Sequence, residues 1–186
     1  MRKLLKFLFI LFLGVISCAC VNVLAVHELN NNAAKLIEDG DLDGAISRLV
    51  ASVDLDGNVY ETRYNLASAY ISKGECEKAL EHAKVAVELM ENEPVAHFTL
   101  GTAAQCASDN VFEKTDESGQ KVAIKYNSQR EKDDAQKLYI ELLETANNAF
   151  NNYLTIVPHA EDAGNVNRLV KDNELKLKQI SNKVVE

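Results

Sequence analysis

The chain has 186 residues, 47% of them apolar, with two prolines, no tryptophan and 28 acidic residues against 20 basic ones. That length supports one domain with a sizeable core, and the scarcity of proline favours helices, so the expected class is all-α. With Arg2, Lys3 and Lys6 set aside, 17 basic residues face 28 acidic ones, a formal charge of −11 that leaves no basic face for nucleic acid.

Residues 1–17 open with M-R-K-L-L-K and continue as an apolar run from Phe7 to Ile16, with no acidic residue before Glu28. This is the profile of a secretory signal. Val15-Ile16-Ser17-Cys18 resembles a bacterial lipobox, which implies a diacylglycerol on Cys18 and a lipidated tether over residues 18–26. Three alternatives stay open. Val23-Leu24-Ala25 fits the cleavage site of a secreted protein, the apolar run extended to Val26 is long enough to span a bilayer uncleaved, and Cys18 is otherwise a small buried hydrophobe. A signal or anchor here places the rest of the chain in the cell envelope, on the extracytoplasmic side.

The first helical hairpin is expected from His27 to Asp54, within a domain at 27–182. Its turn, Asp39-Gly40-Asp41-Leu42-Asp43-Gly44, imitates the opening of a calcium loop. Such a loop closes on a bidentate carboxylate, and Val50 stands there instead. A turn glycine followed by a capping aspartate explains the same letters.

From Tyr60 to Glu93, Leu66, Ala67 and Tyr70 form one apolar stripe, Gly74 interrupts it, and Ala79, Ala83, Ala86 and Leu89 form a second. Two short helices that pack closely through small residues follow from this spacing. Gly40, Ala45, Leu49 and Leu55 precede Gly74, Ala79, Ala83 and Leu89 by 34 residues, and the same step forward from Leu66 and Ala67 reaches Leu100 and Gly101. The pattern is similar to that of tetratricopeptide repeats, W-x2-L-G-x2-Y then A-x3-F-x2-A and P. Arg63 and His97 replace its tryptophan, Ala83 its aromatic residue and Glu91 its proline. The resemblance, to bacterial repeat lipoproteins in particular, implies a stack of about three helical hairpins.

The third hairpin is expected to begin with a helix from Pro94 to about Ala107 and to be interrupted at 108–131. Val111–Thr115 and Gln120–Tyr126 flank a D-E-S-G turn and read as a β-hairpin, with a flexible polar insertion as the alternative. A long helix from Glu131 follows, on which Ala146, Phe150, Tyr153 and Pro158 match the second-helix pattern. An amphipathic segment from Ala160 to about Ile180 reads as a capping helix.

No Gly-rich phosphate loop, G-x-S-x-G or H-E-x-x-H occurs, so no enzyme, cofactor or metal site is expected. His97 is expected in the core, and His27, His82 and His159 at the surface or at helix ends. Cys76 and Cys106 fall at the same end of the stack, where a disulfide competes with buried free thiols. The resemblance puts the first helices on a concave face, so Asn30, Tyr64, Asn65, Ser68, Phe98, Thr102 and Gln105 are the candidate groove. Relatives that hold a chaperone's C-terminal carboxylate line this face with Lys, Arg and Asn; only Asn65 matches, which does not support such a clamp. The expected function is a membrane-anchored adaptor that binds a protein or peptide. The alternative is a structural subunit of an obligate envelope, secretion or pilus complex.

Overall fold

The computed structural model describes residues 22–116 and 118–184. The expected signal at 1–17 and the lipidation of Cys18 lie outside the described residues. Helix α1 covers 22–38, so residues 22–26, expected in the tether, are already helical, and Val26 is buried. Then follow α2 (Leu42–Leu55), α3 (Tyr60–Lys73), α4 (Cys76–Leu89), α5 (Pro94–Asp109), β1 (Glu113–Thr115), β2 (Lys121–Ala123), α6 (Gln129–Ile156) and α7 (Ala163–Val184). Among the described residues, no helix is long and apolar enough to cross a membrane.

Local chemistry sets the ends of these helices. Gly40 and Gly74 take φ of 81° and 76°, left-handed positions that a side chain disfavours, and so turn the chain after α1 and α3. The Asp41 carboxylate accepts from the Gly44 backbone N–H at 2.9 Å and caps α2, so the calcium-like turn is a helix cap. Lys73, beside the second turn, reaches Asp43 at 2.6 Å and Glu75 at 2.8 Å. This links the two turns across the stack.

The predicted small-residue seam forms the first core. Ala33, Ala45, Ala67, Ala79 and Ala83 are wholly buried around Leu49, Leu66 and Tyr70. Closely approaching helices exclude water from all of this surface, and their alanines lose little side-chain entropy. His82 departs from the expected surface position. Its ring lies parallel to Tyr70 with centroids 5.7 Å apart, and Arg63 donates to its Nδ1 at 3.0 Å. Burial first, and then the Arg63 charge, push its pKa below the usual histidine value. His97 is buried as expected, with Nε2 donating to the Glu91 carbonyl at 2.8 Å.

Gly101 on α5 opens the space for Phe150 of α6; a Cβ there would lie 2.5 Å from the ring. Phe150, Tyr153, Ala104 and Ala146 continue this second core to Val166 and Val170 of α7. Asn173 of α7 donates to Asn147 of α6 at 3.1 Å, and the Tyr153 hydroxyl donates to Asp162 at 2.5 Å. The third hairpin therefore closes between α5 and the second half of α6, across the insertion.

The insertion contains an antiparallel pair running from Glu113 opposite Ala123 to Thr115 opposite Lys121. It is shorter than the sequence predicts because the flanking aromatics pack on helices instead of extending the ladder. Phe112 lies 5.1 Å from Tyr139 of α6 and 6.4 Å from Tyr126, whose hydroxyl donates to the Val111 carbonyl. The first turns of α6 thus brace the hairpin, which a two-stranded ribbon needs to persist in water.

Candidate functional site

The first helices α1, α3 and α5 carry all seven candidate groove residues, and α3 packs on α5 as well as on α2 and α4. Two of the seven are committed inside the protein. Asn30 Nδ2 donates to Thr62 at 2.8 Å and to Ser52 at 3.1 Å, and Asn65 donates to Asn30 at a long 3.5 Å. Ser52 and Thr62 are wholly buried, so these bonds satisfy hydroxyls that water cannot reach. Thr62 and Ser52 went unnoticed in the sequence. The signal was present, because 34 residues on stand Ala96 and Ala86, core positions at which a hydroxyl requires a partner.

Phe98 corrects the expectation of a freely exposed groove aromatic. Its ring lies 5.4 Å from Tyr153 and 6.0 Å from Phe150, so it is half-buried against the end of α6. It forms no aromatic pair with Tyr64, which stacks on Tyr60 one turn earlier at 6.1 Å. Burial, with Glu93 close by, raises the Tyr60 phenol to about 12, so that ring stays neutral at physiological pH.

Ser68, Thr102 and Gln105 keep partial exposure. Thr102 and Gln105 open into a cleft of about 680 Å³ whose other wall is the β-hairpin, through Lys114, Thr115, Lys121 and Ile124. These hairpin residues could not be assigned to the groove from sequence, because nothing in their spacing says where the insertion lies. Gln105 Nε2 donates to Ser108 and Asp109 at 3.3 and 3.4 Å. Among the described residues its Oε1, buried beside the cleft, accepts nothing.

The same cleft is floored by the Cys76–Cys106 disulfide, with Cα atoms 5.4 Å apart. It joins the first turn of α4 to the last turns of α5 and fixes the end of the groove. Among the described residues no group of three or more His, Cys, Asp or Glu is placed to hold a metal ion.

No protein-family model matches the sequence, and no curated protein matches it. Solved structures do. The first tetratricopeptide domain of Spaghetti (RPAP3), bound to the HSP90 peptide SRMEEVD, superposes with a TM-score of 0.58 at 19% identity, covering 82% of this chain and 93% of that one. The Arabidopsis OM64 tetratricopeptide domain gives 0.59 at 14% identity over 81% and 98% of the two chains. The Yersinia enterocolitica type III secretion translocator chaperone SycD gives 0.54 at 15% identity over 81% and 92%. The fold of this chain is therefore that of the tetratricopeptide-repeat domains.

Proposed function

We propose that the chain is a protein-interaction adaptor of the bacterial cell envelope, anchored through a lipid on Cys18, that holds an extended peptide along its first helices. The observation that carries this reading is the open cleft at the end of the first-helix face, walled by Thr102 and Gln105 of α5 on one side and by the β-hairpin on the other. An extended peptide brings backbone N–H and C=O groups that polar side chains lining such a cleft can pair with. Tyr64 offers a large apolar face further along the same side, and Ser68 and Thr102 offer hydroxyls. The peptide bound by the RPAP3 domain supports the general mode but not a particular partner.

The test combines Tyr64→Ala with Gln105→Ala and measures partner capture, helical signal and melting temperature together. Reduced capture with an unchanged fold supports the groove. Unimpaired capture, or a chain found only as an obligate assembly at every concentration, supports the structural-subunit reading. Anchoring is tested separately, since Cys18→Ser should abolish labelling by a clickable fatty acid and leave an unprocessed signal. Absence of label on the wild-type chain would contradict the lipid.

A further inference from the structure

On the far side of the β-hairpin from the groove lies a second cleft, of about 640 Å³, between the start of α4, the end of α5 and the overhanging first half of α6. Its floor is apolar and rigid. Val111, Ala135 and Leu142 pack there with Ala107 and Cys76, so the disulfide holds this floor in place too. Leu138, one turn from Ala135 and Leu142 on the same stripe of α6, remains 48% exposed. Among the described residues lining the cleft it is the one large hydrophobic side chain that is exposed rather than buried or half-buried.

The charges around it have one sign. Glu77 of α4 and Glu131 and Asp134 of α6 line the cleft, and among the described residues these are its only charged lining residues. Of the nearby cations, Arg130 lies 3.9 Å from Asp134 with its side chain 91% exposed, while Lys132 and Lys137 fall off the stripe that faces the floor. We infer that this cleft is a second docking surface, and that its occupant is a basic amphipathic protein segment that seats an apolar side chain against Leu138 between flanking lysines or arginines. An apolar anchor surrounded by complementary charge is the arrangement that gives such a segment both affinity and orientation. An anionic lipid surface or an acidic peptide meets the same rim as repulsion.

The lining of this site differs from that of the peptide groove except at Glu77 and Asn110, which border both clefts. The insertion creates it. A hairpin stack of ordinary length has neither the extra turns of α6 nor Val111 and Tyr126 to wall it.

The experiment uses the full-length chain and two short labelled peptides of one amphipathic pattern, leucine with lysine and leucine with glutamate, followed by fluorescence anisotropy. The lysine peptide should bind and the glutamate peptide should not. Leu138→Ser, at an exposed position and without a change of charge, should weaken binding about thirtyfold. Glu77→Lys with Asp134→Lys should transfer preference to the glutamate peptide. The same charge change at Asp39 and Asp54, on the first hairpin, should alter binding by no more than about twofold. Equal weakening by the Asp39 and Asp54 pair would show attraction to an acidic surface in general and overturn the proposal. So would no binding of the lysine peptide, or an unchanged affinity after Leu138→Ser.

Discussion

In the first two hairpins helices meet along alanines, whereas in the third a glycine admits the Phe150 ring and a disulfide joins the third hairpin to the second. The contrast follows from chain connectivity. Helices α1 to α4 are joined by short turns, so close packing is reached at small loop entropy and small residues suffice. Helices α5 and α6 must find each other across the insertion, and the larger entropy of that closure is offset by aromatic burial, while the disulfide ties α5 to α4. Regular packing in one region and cross-linked, aromatic packing in the other therefore serve the same stack.

The sharpest way to break this comparison is to remove the link. Replacing Cys76 and Cys106 by alanine opens a bridge between residues 30 apart and should cost about 3 to 4 kcal/mol in urea unfolding. Reduction of the wild type should have the same effect, and an unchanged midpoint would mean that the third hairpin is held by packing alone. Next in size are the two helix seams. Gly101→Ala drives a methyl against Phe150, and Ala79→Leu overfills the alanine seam, so each should cost about 1 to 3 kcal/mol. The exposed Arg48→Leu should stay within about 0.5 kcal/mol.

A smaller effect separates the regions by pH. His82, stacked on Tyr70 in the second hairpin, has its folded pKa depressed below the 6.5 of the free side chain. The unfolded chain then takes up the proton first as pH falls. Stability is full above about 6.5 and is lost as pH falls through the depressed folded value. His82→Phe should remove that part of the slope, and an identical pH dependence in the variant would assign it to other groups.

The alanine seam, both turn glycines and the closure of the third hairpin by Phe150 were legible because helical period and repeat period act together on the same residues. The β-hairpin was legible as an element but not in extent, since its register ends where Phe112 packs on Tyr126 and on Tyr139 of α6. The groove was legible only as a face. Periodicity says which side of a helix a residue occupies, but not that Asn30 meets Thr62 or that Phe98 leans on Tyr153. Those outcomes depend on how neighbouring helices cross and on where the insertion lies, which are properties of the packed molecule.

The central claim, that a partner lies along the first helices, is tested most directly by a photoreactive phenylalanine derivative placed at Ser68 on α3 and, separately, at Arg48 on α2 of the full-length chain in its native cells. Ser68 is half-buried one turn after Tyr64 on α3, and Arg48 is exposed on a second helix. Illumination should give one discrete cross-linked partner from position 68, lost when Gln105→Ala is added, and none from position 48. A partner captured from position 48 alone would contradict the account.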